Sequence, residues 1–141
     1  MIVLDTNVVS EPLRRAPDPR VVAWLDAQHV ELLALTSITL AEVRYGIAAL
    51  PVGHRRDLLH ERLENEVVPS FAGRILDFDE RASVAFARIQ AAVRRAGRPL
   101  GAMDGLIAAI CAAHGARVAA RDVTGFAAAG LEVVDPWASR E

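Results

Sequence analysis

Residues 1–11 read MIVLDTNVVSE, and the join between Leu4 and Asp5 decides how the rest of the chain is read. Ile2, Val3 and Leu4 are apolar at consecutive positions. A strand without a polar face belongs inside a parallel sheet covered on both sides. Asp5 then stands at the carboxyl end of that strand, where open α/β sheets keep their ligand crevice. Two readings of Asp5 are open at this point. Either it faces a ligand, or it caps the following helix, which Thr6 or Asn7 would do equally well.

Working outward, strand-like runs alternate with helical ones. PDPRVVAWLDAQH (17–29) has a helical pattern, with Val21, Val22, Trp24 and Leu25 on the inner face. ELLALTS (31–37) is a second strand, and SITLAEVRYGIAAL (37–50) a helix that Ser37 or Thr39 would cap. Pro51 and Gly53 break the chain before HRRDLLHERLENEVVPSF (54–71), an amphipathic helix with Arg and Glu at helical spacing. RILDFDE (74–80) places a short strand before the long helix ERASVAFARIQAAVRRAG (80–97), which ends on arginines and Gly97. LGAMDGLIAAICAAHG (100–115) is another helix with a glycine stop. ARVAARD (116–122) and LEVVDPW (131–137) are the last strands, separated by VTGFAAAG. This alternation predicts a three-layer α/β/α architecture with a central parallel sheet. No repeat, low-complexity tract or linker interrupts it, so one domain over residues 1–141 is expected.

Composition removes several function classes. The chain has 141 residues, 52% hydrophobic and 24% charged, which suits a globular protein with a sizeable core. All sixteen basic residues are arginine. Without lysine there is no P-loop and no Schiff-base chemistry. No G-x-G-x-x-G follows a strand. Cys111 is the single cysteine, so no intrachain disulfide forms and a reducing cytoplasm is expected. Its alanine-rich surroundings mark it as a buried small hydrophobe. No basic n-region precedes a long apolar stretch, and GLIAAICAAHG is too short to span a bilayer, which takes about 20 residues. No membrane association is expected.

Four carboxylates lie where solvent is not expected. Glu42 and Asp104 interrupt otherwise apolar helices, while Asp5 and Asp122 follow apolar strands. A lone buried carboxylate is costly unless paired, hydrogen-bonded or metal-bound. Singly, each has an ordinary explanation as a cap or ion pair. Jointly, they converge on one sheet edge. Carboxylates crowded together need cations, and oxygen-only ligands favour Mg²⁺ or Mn²⁺. The four histidines, His29, His54, His60 and His114, show no zinc-like spacing. Carboxylate-held magnesium serves phosphate chemistry. Two bound ions also take the net charge from -2 to about +2, so the acidic total does not exclude RNA.

IVLDTNVVSE, SITLAEVRYGI, GAMDGLIAAIC, VAARDVTGF and VVDPW together resemble the PIN domain, and within it the VapC/FitB-type toxins of bacterial toxin–antitoxin pairs. The resemblance spans essentially the whole chain with the motifs in order. It implies a PIN-like fold and a Mg²⁺-dependent endoribonuclease, with Mn²⁺ able to substitute. It also implies a homodimer and a small antitoxin that neutralises the toxin and through which alone it reaches promoter DNA. The family's acidic residues fall on Asp5, Glu42, Asp104 and Asp122, as metal ligands and catalytic groups. Thr6 matches a hydroxyl residue near the metal, and Arg121 beside the site is the best candidate for contacting RNA. Many relatives carry a Thr-Arg-Asn-x-x-Asp-Phe-like stretch where this chain has Ala120, Arg121, Asp122, Val123, Thr124, Gly125 and Phe126. A hydroxyl is lost at Ala120, the later acid is absent at Gly125, and Asp122 supplies an earlier one.

Two other readings stand beside this one. Aspartyl-phosphate phosphatases of the haloacid-dehalogenase type also end a strand in Asp, but they need a second Asp where Asn7 stands, and a lysine. A catalytically silent interaction module, working only in an antitoxin/DNA repressor complex, would keep the acids for structure.

Overall fold

The computed structural model describes residues 1–98 and 100–138. Five parallel strands form one sheet in the order β3-β2-β1-β4-β5. They are β1 (Ile2–Leu4), β2 (Leu33–Thr36), β3 (Ile75–Leu76), β4 (Arg117–Ala119) and β5 (Val133–Val134). β1 is central, pairing Ile2 with Leu33 on one side and Leu4 with Ala119 on the other. The chain builds outward from β1 to β2 and β3, then crosses back to add β4 and β5. The reversal falls between β1 and β4, a topological switch point of the kind that opens a crevice at the carboxyl ends.

Strand geometry sends alternate side chains to opposite faces. Ile2 and Leu4 join one hydrophobic cluster with Val8, Val21, Trp24, Leu35, Val43 and Leu63. Val3 joins the other with Ala34, Ile89, Ile107, Val118 and Phe126. The first face is covered by α1 (Thr6–Ser10), α2 (Pro19–Asp26), α3 (Ser37–Ala48), α4 (His54–Arg62) and α5 (Val68–Ser70). The second carries α6 (Glu80–Arg95), α7 (Ala102–Ala113) and α8 (Val123–Ala128). Fully burying a Val, Leu or Ile side chain contributes about 1.5–3 kcal/mol, so the consecutive apolar residues of β1 secure both layers.

Several elements differ from the sequence reading. α2 covers only Pro19–Asp26, starting after Asp18, whose side chain accepts the Arg20 N–H at 2.9 Å. Within it Val21 and Trp24 are buried, while Val22 and Leu25 are only half-buried. α3 is capped by neither Ser37 nor Thr39. The cap is Thr36, the last residue of β2, whose hydroxyl accepts the Thr39 N–H at 3.0 Å. The helix expected over 54–71 widens into a π turn at Leu63–Val67 before α5. Pro69 has no N–H and crowds the carbonyl four residues back, so a regular α-helical ladder cannot run unbroken through it. VTGFAAAG contains the short helix α8.

Candidate functional site

The backbone sets the register of the site first. The Asp5 N–H donates to the Ala119 carbonyl at 2.9 Å, extending the β1–β4 ladder by one residue. That bond fixes Asp5 and the Ala120–Asp122 turn on one sheet edge. Asp5 occupies the N-cap position of α1, yet its side chain makes no capping bond. The capping reading therefore fails. The carboxylate is buried, 5% exposed, and its Oδ1 has no hydrogen-bond partner. Burial pushes its pKa up to about 6, opposed by the nearby Thr6 N–H and reinforced by repulsion from Asp104, Glu42 and Asp122.

The other acids reach this edge from three different elements. Glu42 lies midway along α3, and the Thr6 hydroxyl donates to its Oε1 at 2.7 Å. Asp104 stands in the first turn of α7, where the helix N-terminus favours an anion. Burial, then repulsion from Glu42 and Asp122, hold its pKa above the usual carboxylate range. Just after it, Gly105 is buried against α6. A Cβ there would collide with Gln90 and press on Phe86 at 3.2 Å. Asp122 caps α8, with Oδ1 accepting the Gly125 N–H at 3.2 Å. Its Oδ2 turns back over Gly125, so a Cβ at that position would sit 2.9 Å from the oxygen. The missing side chain at residue 125 makes room for the carboxylate at 122.

The four acids thus share one electrostatic neighbourhood. They are not a closed ligand cage. Among the described residues no three His, Cys, Asp or Glu side chains are set to hold one ion together. Thr6 occupies one oxygen of Glu42 and the α8 backbone one oxygen of Asp122, while the like charges oppose closer approach. The donor set still suits a hard divalent cation: it is all oxygen, and the buried Asp5 Oδ1 lacks any other partner. Arg121 is exposed at the same edge, its guanidinium 5.3 Å from the centre of the Trp137 ring. Cys111 is fully buried and its thiol is pushed up to about 12, chiefly by burial.

The sequence reading missed Glu11. Its carboxylate is 4% exposed. It is satisfied, however, by Arg14 at 3.3 Å and the Asp18 N–H at 3.1 Å. The signal was present: Glu11 is flanked by buried Val8, Val9 and Leu13. A hydrogen-bonded Glu11 and an Asp5 with one oxygen left unpartnered show how a structural acid differs here from a candidate ligand.

The PIN domain sequence profile matches residues 2–130 of this chain. The chain is 51% identical over 137 residues to the VapC ribonuclease Y4jK of Sinorhizobium fredii, covering 97% of this chain and 98% of that protein. It is 49% identical over 137 residues to Toxin FitB of Neisseria gonorrhoeae, covering 97% and 99%. A solved structure of FitAB bound to an IR36 DNA fragment superposes with a TM-score of 0.96 at 47% identity, covering 100% of this chain and 99% of that one.

Proposed function

This chain belongs to the PIN-domain family, and from that membership we propose that it is a metal-dependent endoribonuclease acting as the toxin of a toxin–antitoxin pair. Similarity to a protein named as a VapC ribonuclease and to one named as a toxin supports the reaction and the role. The observation that carries the reading at the level of residues is the buried Asp5 oxygen without a partner, in a carboxylate that three other acids near the switch point repel. Asp5 and Asp104 would hold Mg²⁺ or Mn²⁺, with Glu42 and Asp122 beside them. Such an ion, when bound, supplies an activated water and charge neutralisation at the phosphoryl oxygens.

The chain's own residues would do the remaining work. Thr6 holds Oε1 of Glu42, which leaves Oε2 free to accept a proton from the attacking water. The fold keeps Asp5 dry, so its charge acts in a low dielectric where it is strongest. Arg121, exposed at the edge, would meet a phosphate of the RNA. The partners proposed are an RNA substrate, a second copy of the chain and a small antitoxin, with promoter DNA reached through the antitoxin. The similarity to FitAB bound to DNA supports the last two.

Cleavage of total RNA with Mn²⁺ or Mg²⁺, compared with chelator and with Asp5→Asn, tests the proposal. Metal-dependent cleavage abolished by the substitution is expected. A second reading, a silent module of a DNA-bound complex, draws on the open arrangement of the acids. Wild-type protein that cuts nothing while still assembling with an antitoxin on DNA would establish that reading instead.

A further inference from the structure

The charge of this chain is unevenly placed. Residues 81–103 hold five arginines and no acid, so the stretch is +5 in a chain of net charge -2. Three of the five, Arg94, Arg95 and Arg98, gather where α6 ends. The Arg98 N–H donates to the Val93 carbonyl at 2.9 Å and Gly97 takes a φ of +68°, which folds the chain back onto the helix end and keeps Arg98 close to the other two. All three are exposed. None has a carboxylate or carbonyl partner among the described residues, in contrast to Arg14, Arg20, Arg44 and Arg55. A helix C-terminus favours cations in its last turn, which accounts for Arg94 and Arg95 but not for Arg98 beyond the helix.

The cluster borders the acids. α6 and α7 run antiparallel, with Arg81 bonded to the Ala113 carbonyl at one end and Gln90 set against Gly105 toward the other. The last turn of α6 therefore lies beside the first turn of α7, which carries Asp104. Leu100, two residues after Arg98, packs against Gly125, where a Cβ would come 3.1 Å from its Cδ1. Gly125 is the residue whose N–H bonds to Asp122. Arg121 flanks the acids from the other layer, since Trp137 beneath it belongs to the first hydrophobic cluster and Leu100 to the second.

We propose that Arg94, Arg95 and Arg98 form a phosphate-binding rim that holds a single strand of RNA on the α6–α7 side of the acid cluster, the strand then crossing the sheet edge toward Arg121. The inference rests on the ribonuclease reading and adds the surface that grips the nucleotides on one side of the cut. A guanidinium with no internal partner takes a phosphate without giving up a bond, and its planar fork fits the phosphate oxygens. Three such groups within five positions, in a stretch without acids, suit a polyanion. Their place beside Asp104 and Asp122 puts them in reach of the strand being cut.

The test combines Arg94→Gln, Arg95→Gln and Arg98→Gln in the full chain. A control combines Arg56→Gln, Arg88→Gln and Arg117→Gln, which removes the same charge elsewhere. Fluorescence anisotropy with a labelled, mixed-sequence single-stranded RNA in Ca²⁺ gives a Kd, and cleavage in Mn²⁺ gives KM and kcat. The rim variant should raise Kd and KM by at least about tenfold with kcat nearly unchanged. It should also flatten the salt dependence of log Kd by about 2, the share of three phosphate contacts on a single strand. Its melting temperature should stay near that of wild type, because the three side chains are exposed and glutamine is a good helix former. The control should bind RNA nearly as wild type. Equal losses in the two variants would show net charge at work and overturn the inference, as would a rim variant that binds RNA normally. Normal RNA binding with a loss on duplex DNA of the same sequence would assign the rim to DNA and overturn it too. A wild type that binds RNA through the rim but never cleaves defeats the ribonuclease proposal and leaves the rim standing.

Discussion

The Asp5 carboxyl sets the pH behaviour of the metal-free protein. Its pKa rises from 3.8 to about 6 on folding. A group raised in this way stabilises the fold only while protonated. The contribution is complete below pH 3.8 and is lost as pH climbs through 6. The loss is worth up to about 3 kcal/mol. In chelator, wild-type stability should therefore fall between pH 4 and 6 by urea denaturation, and Asp5→Asn should remove most of that slope and be the more stable protein at pH 7. Asp122 poses a different question, because it caps α8. Asn caps a helix as well as Asp does, whereas Ala loses about 1 kcal/mol. Asp122→Asn should lower RNA cleavage at least tenfold, about 1.4 kcal/mol of transition-state stabilisation, without loss of stability. Asp122→Ala should lose the activity and the cap together. Full activity in Asp122→Asn would restrict Asp122 to capping.

At the scale of elements, the position of α7 against α6 depends on a glycine one residue after Asp104. Gly105→Ala should destabilise the protein by about 1 kcal/mol at most, because the half-buried Gln90 amide is the flexible end of its side chain and can shift. Gln90→Ala in the same chain should restore much of that loss in chemical denaturation, and an additive pair would show that the two do not share one contact. The elements were legible in the sequence to different depths. β1 and the helices around Glu42 and Asp104 could be read because apolar runs and helical periodicity report burial directly. The strand order could not, since periodicity does not say which strand lies beside which. β3 and β5 have only two residues each, yet they fall inside RILDFDE and LEVVDPW, apolar runs short enough to read as strands. The candidate site divides the same way. The four acids stood out as charges in apolar surroundings, but the Thr6–Glu42 bond joins residues 36 positions apart and has no sequence signature. The ion pair of Arg44 with Glu64, at 2.8 Å between α3 and the π turn, was hidden for the same reason. Glu11 was overlooked because its chain neighbours are a mixture of apolar and basic residues.

Across the whole molecule, a formal net charge of -2 opposes a polyanion, and the proposed metal ions, if bound at the acid cluster, would offset it. RNA affinity should therefore be weak in chelator and rise by at least about tenfold in millimolar Ca²⁺, measured by filter binding with the ion that supports the least cleavage. Equal affinity in both conditions would place the binding surface away from the acids. The sheet order has one more consequence, for synthesis of the protein. Asp5 is made almost at once, but its backbone partner Ala119 and its neighbour Asp122 come more than a hundred residues later. A growing chain therefore has no β4 beside β1, and no assembled centre, until Asp122 has been made and has left the ribosome. A protein that cuts RNA would be disarmed for all of that time beside the messenger and ribosomal RNA that make it. The order in which the chain is threaded through its sheet also times the arrival of its activity.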